Sequence, residues 1–193
     1  MHLNPEEILD FWFLPAGTPG HGQPRAAWFR KDPAFDEAIR SRFLPMVQRA
    51  LAGEYLAWEA EPRHALALLI MLDQFPRNLF RGEAQAFSGD ERARSVARKI
   101  LATGGDNDMQ GVERMFVYLP FEHSESLADQ LFSVQLFTQL ANSQAGFADT
   151  LDYAQRHLAV IERFGRFPHR NAALGRASTE AETAYLNQPG SGF

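Results

Sequence analysis

Apolar residues recur along the chain at helical spacing, and capping signals bracket most of the runs. Asn4-Pro5-Glu6-Glu7 sets a capping side chain, a first-turn proline and two carboxylates ahead of Ile8, Leu9 and Trp12, which predicts a helix to about Leu14. The stretch "PAGTPGHGQP" ends it. Asp32-Pro33 repeats the start signal, and Phe35, Ile39, Phe43, Met46 and Val47 follow at helical spacing, with a kink expected at Pro45 and an end near Gly53. From Pro62 the apolar residues of "HALALLIMLDQF" fall on every side of a helix, the pattern of a central helix surrounded by others.

Gly89 to Ala102 is amphipathic through Ala93, Val96, Ala97, Ile100 and Leu101, and Gly104-Gly105 stops it. "VERMFVYL" reads as a short helix before Pro120. Leu127, Leu131, Val134, Phe137 and Leu140 form one inward stripe, and Phe147, Leu151, Ala154, Leu158 and Ile161 form another that closes at Gly165. Thr179 and Glu182 have the spacing of a capping box. No run alternates polar and apolar residues between turn signals, so the pattern predicts an all-α fold of about eight antiparallel-packed helices joined by short loops. No repeat of about 34 residues stands out.

The 193 residues suit one domain spanning 1–193. Sixteen Phe and three Trp predict an aromatic-rich core. The net charge of −5 weighs against a uniformly basic nucleic-acid surface. Without cysteine there is no disulfide, thiolate zinc site or cysteine nucleophile. The opening "MHLNPEEILDFWF" lacks the basic region and long apolar run of a secretory signal, and the apolar run Ala65 to Leu72 is far short of the roughly 20 residues of a membrane span. The expectation is a cytoplasmic protein without cofactor, resident metal, nucleic-acid partner or membrane partner, and either a monomer or a homodimer.

Three polar clusters carry the candidate chemistry. In "LDQFPRNLFRG", Asp73 follows the buried run and Arg77 stands one turn on, an ion pair at a helix end with Asn78 satisfying last-turn carbonyls; the alternative makes Arg77 and Arg81 anion clamps, with Asn78 orienting the ligand. In "LPFEHSESLADQ", Glu122, His123 and Glu125 stand before the helix containing Leu127, as caps, as catalytic groups, or as metal ligands joined by His157 or Asp73. In "RFGRFPHRNAALGRASTEAE", Phe164 and Phe167 anchor a turn that Pro168 stiffens, presenting Arg166, His169, Arg170, Asn171 and Arg176. These arginines either cap carbonyls and pair with Glu122, Glu125 or Asp73, or form an anion pocket in which His123, His169 or Glu122 transfers protons. No Gly-rich phosphate loop, nucleophile elbow or His-Glu-x-x-His motif is present.

"ILDFWF", "LALLIMLDQFPRN", "YLPFEHSE" and "RFGRFPHRNAALGRAST" together resemble a bacterial family known as domain of unknown function nine hundred and twenty-four, along nearly the whole chain. Phe121 departs from it, standing where an aliphatic residue is expected before "EHSE". The resemblance implies a compact right-handed helical superhelix or bundle, tetratricopeptide-like, and carries over no catalytic residue. Three functional readings remain, led by a polar pocket where the three turns meet around a small anionic ligand; the second is a helical module that binds a peptide while its polar turns hold it together. A hydrolase using His123 or His169 is the third reading.

Overall fold

The structure, a computed structural model, describes residues 4–191; the first three residues of the opening segment lie outside the described residues. Over them the chain is helical with no strand. It divides into two compact units, one of residues 4–81 and 85–120 and the other of 82–84 and 121–191 among those described.

The first unit contains α1 (Pro5–Phe13), α2 (Pro33–Leu51), α3 (Pro62–Leu69), α4 (Phe75–Leu79), α5 (Asp90–Ala102) and α6 (Gly111–Glu122) up to Pro120. The capping signals act as read: Asn4 Oδ1 accepts from the Glu6 N–H at 3.1 Å, and Asp32 Oδ1 from Ala34 and Phe35 at 2.9 and 3.1 Å. Helix α2 runs unbroken through Pro45, and α6 continues past Pro120 to Glu122 instead of stopping before it. Each proline removes one ladder donor, a loss smaller than the packing these helices provide.

The run 62–79 stays helical because α3 and α4 are joined by one π-helical turn, Ile70–Gln74. Ala65 to Phe75 are all buried, as the uniform apolar pattern requires. Aromatic rings surround this rod: Phe75 lies 5.2 Å from Phe43 and 5.6 Å from Trp12, and Phe116 lies 4.9 Å from Trp28. A Cβ on residue 89 would overlap the Leu72 carbonyl of the π turn, so only glycine lets α5 begin there.

The second unit holds the end of α6, the hairpin of α7 (Leu127–Ser143) and α8 (Ala148–Phe164), and the short α9 (Glu180–Leu186). Residues 144–147 join α7 to α8, and the two pack along their length. Gly165, at φ 69°, closes α8 with its N–H on the Ile161 carbonyl at 2.8 Å. Val160, Ile161 and Phe167 form a core cluster with Phe164 and Tyr185 packed against it.

Helix α7 departs from its expected stripe. Phe137 and Leu140 are buried, but Leu127 and Leu131 are 48% and 52% exposed while Gln130 and Ser133 are fully buried. The reason is polar demand at the end of α6. The Gln130 amide donates to the Glu122 and Ser124 carbonyls at 2.6 and 2.7 Å, and Ser124 Oγ donates to Asp129 at 2.8 Å. Leaving those buried carbonyls without donors would cost more than exposing two leucines.

Candidate functional site

In the first unit the π turn sets Asp73 at the buried side of α4, where an unpaired carboxylate would be prohibitively costly. Arg77 satisfies it. Its Nη1 lies 3.2 Å from Asp73 Oδ1 and donates to the Asp73 carbonyl at 2.6 Å, while Nη1 and Nη2 reach the two Asp90 oxygens at 2.9 and 3.2 Å. The Gln74 amide donates to Asp73 Oδ2 at 2.6 Å. Burial opposes charge on Arg77, but Asp73 and Asp90 together raise its pKa above the ordinary value.

Arg81 and Asn78 converge on another carboxylate. Arg81 Nε and Nη2 grip the two oxygens of Asp36 at 2.9 and 3.0 Å, and Asn78 Nδ2 donates to Asp36 Oδ1 at 2.7 Å, so Asn78 serves α2 and not the last-turn carbonyls of its own helix. Burial tends to raise the Asp36 pKa, and these bonds hold it below the ordinary carboxylate range.

In the second unit two carboxylates fasten the turn that begins at Gly165. Glu125 accepts from the Phe167 N–H at 2.7 Å and takes both Nη groups of Arg176 at 2.8 and 2.9 Å. Arg176 spends its other donors on Asn171 Oδ1 and the Phe167 carbonyl, at 3.0 and 3.1 Å. Burial would raise the Glu125 pKa, but Arg176 and the Phe167 amide hold it below the ordinary range.

Glu182 does the same at the far end of the turn. It accepts Arg166 Nε and Nη2 at 2.6 and 2.8 Å and closes the capping box on the Thr179 N–H at 2.7 Å. The Arg166 bonds and then the Thr179 amide hold Glu182 down to about 2. Asn171 bridges the two groups, donating to Ser178 Oγ at 3.0 Å and to Glu182 at 3.4 Å.

Phe167 is the post of this turn. It is fully buried, with His157 edge-on at 5.6 Å, His169 tilted at 5.5 Å and the Arg170 guanidinium over its face at 4.7 Å. Arg170 Nη2 also donates to the His123 carbonyl at 2.9 Å. Buried His157 donates Nδ1–H to the Tyr153 carbonyl at 2.8 Å, with Glu122 Oε1 3.3 Å from the same nitrogen. Burial pushes the His157 pKa down to about 3, so the ring is neutral near pH 7.

Glu122, His123, Glu125, Arg166, His169, Arg170, Asn171 and Arg176 therefore share one unit, whereas Asp73, Arg77, Asn78 and Arg81 belong to the other. Sequence reading missed the carboxylates that close the arginines, Asp36, Asp90 and Glu182. Only Glu182 had a local signal, its capping-box spacing to Thr179. Among the described residues, no three His, Asp or Glu groups gather as metal ligands. The Ser124 hydroxyl is bonded to a carboxylate and not to an imidazole, which is not the arrangement that activates a nucleophile.

Openings in the second unit lie beside α8 and α9. Two shallow cavities of about 260 and 480 Å³ share Arg163 and Phe164; the first continues to Arg156, Val160 and Tyr185, and the second to Arg166 and Glu182.

Residues 8–190, almost the whole of this fold, match the family described as bacterial protein of unknown function (DUF924). The chain belongs to that family. A solved structure of a protein of unknown function from Agrobacterium tumefaciens is 37% identical to it, with a TM-score of 0.81 over 95% of this chain and 96% of that one. No curated protein matches the chain. The DUF924 assignment thus brings a fold and no reaction, and the functional reading of this DUF924 chain rests on its own geometry. Among its described residues, no helix is long and apolar enough to cross a membrane.

Proposed function

We propose that this DUF924 chain is a helical protein–protein interaction module whose arginine-rich turns are internal brackets. One observation carries the reading: the guanidinium forks of Arg77, Arg81, Arg166 and Arg176 close on Asp90, Asp36, Glu182 and Glu125 of their own units. An arginine whose paired donors already hold a carboxylate has little left with which to hold a ligand. A small-anion site built on Arg77 and Arg166 would first have to break these pairs.

Exposed apolar side chains support the same reading. Leu127 and Leu131 stand one turn apart on the outer face of α7. Leu56, 67% exposed, adjoins Tyr55 and Trp58, whose rings lie 4.9 Å apart. Trp12 and Trp28 are buried and belong to the core; half-buried Trp58 is the tryptophan placed to contact a partner. Helix hairpins such as α7–α8 are the units from which tetratricopeptide-like binding arrays are built.

Thermal unfolding tests this against phosphate, nucleotides, sugar phosphates and small carboxylic acids, with Arg176→Ala in parallel. The bracket reading predicts that Arg176→Ala lowers the midpoint and that no anion stabilises the wild type through this residue. A ligand at 100 times its Kd adds about 2.7 kcal/mol, a shift of several degrees for a chain of this size. Such a shift, lost in a still-folded Arg176→Ala protein, would replace the module with a small-anion site.

A further inference from the structure

Among the described residues, α7 is the one helix that exposes side chains and exposes no charge. Leu127, Ala128, Leu131, Gln135, Gln139 and Asn142 are exposed and share one face at helical spacing, with Leu131 near its middle. From Ser126 to Ala148 the only charged residue is Asp129, which is buried and accepts the Ser124 hydroxyl. Every other helix with exposed residues shows charge among them, as α2 does with Glu37 and Arg40 and α8 with Asp152 and Glu162.

Polar demand inside the unit puts the leucines there. Gln130 turns inward to serve the Glu122 and Ser124 carbonyls and Ser133 is buried one turn on, which leaves Leu127 and Leu131 48% and 52% exposed. That apolar pair leaves water only when a second surface covers it. Charge selects the surface. A basic or acidic partner finds nothing on this face to steer or orient it. A second copy of the chain fits, because a two-fold interface sets a face against itself and so requires groups that complement their own kind. Leucine packs on leucine and an amide carries both donor and acceptor, whereas a charged face would meet its like in a chain that already bears −5.

Resting on the interaction-module reading, which it supplies with a partner, we infer that the outer face of α7 docks antiparallel on the same face of a second copy of this chain, with Leu131 of the two copies meeting at the two-fold axis. Antiparallel register then sets Leu127 of one copy against Gln135 of the other, since both stand four residues from that axis. The small Ala128 side chain lets the helices approach. The contact runs over residues 127–135, about 12 Å at 1.5 Å per residue, so the dimer is small and reversible.

The test is sedimentation equilibrium of the wild type, Leu131→Glu, Leu131→Lys, an equimolar mixture of these two variants, and a control, Leu56→Glu, at an exposed leucine outside α7. The expected result is a reversible wild-type dimer that added salt does not weaken, with a dissociation constant raised about tenfold or more in each Leu131 variant alone, because like charges then face one another. The mixture, in which the introduced charges are opposite, should regain the dimer and lose it again in high salt. Leu56→Glu should dimerise as the wild type does. Because Leu131 is half exposed, its variants should melt with the wild type at concentrations where all are monomers. A wild type that stays monomeric at millimolar chain, a dimer unaffected by Leu131→Glu, a dimer lost in Leu56→Glu, or a mixture that associates no more tightly than its components would each overturn the assignment. The Arg176 experiment above decides the module reading separately, because Arg176 lies outside α7.

Discussion

In the first unit a buried rod of Ala, Leu, Ile and Met is enclosed by Trp12, Phe43, Phe75 and Phe116, and its ion pairs are attached to the rod's end. In the second unit the turn after α8 is shaped around a single buried ring, Phe167, and fixed by Glu125, Arg176, Arg166 and Glu182. The difference teaches what arginine-rich turns can be for. Where aromatic packing is plentiful, polar groups have only to be tolerated; where a turn offers one ring, directional bonds to carboxylates must set its path.

Substitutions can break this contrast. The largest effect belongs to the aromatic core: Phe75→Ala should cost about 3–5 kcal/mol in urea unfolding, since it empties the centre of the ring cluster. A cost below about 1 kcal/mol would mean that the rings do not hold the first unit.

The second effect is a pH dependence. His157 has a folded pKa of about 3 against an ordinary 6.5, so between these values the unfolded chain binds the extra proton. Stability then falls as pH falls through this window, by at most about 1.4 kcal/mol per pH unit, and no contribution from this residue changes above pH 6.5. His157→Gln, which keeps a donor for the Tyr153 carbonyl, should flatten that slope in urea midpoints measured from pH 7 to pH 4. An unchanged slope would place the acid sensitivity elsewhere. The smallest effect is expected for Arg81→Ala, whose partner pair is partly exposed: less than about 1 kcal/mol by thermal unfolding. A larger loss would erase the distinction between brackets that shape a turn and pairs that decorate a helix end.

The sequence announced what local physics controls. Asn4, Asp32 and the Thr179–Glu182 box cap the helices they were read to cap, and the all-round apolar run became the buried rod. Spacing predicted that Asp73 would meet Arg77, because one helical turn separates them. What stayed hidden depends on the path of the whole chain. Asp36 meets Arg81 across 45 positions and Glu125 meets Arg176 across 51, and nothing local distinguishes these carboxylates from others. The leucine stripe of α7 misled for a related reason, since the carbonyls that draw Gln130 inward belong to residues 122 and 124.

The bracket claim is tested most directly by a double-mutant cycle on Glu125→Gln and Arg176→Met, measured by urea unfolding in buffer free of phosphate and other multivalent anions. The bracket reading predicts that each single change destabilises the protein and that the pair is coupled by about 1–2 kcal/mol with no ligand present. Coupling near zero, with Arg176→Met as stable as the wild type until an anion is added, would contradict it and make Arg176 a ligand-binding residue.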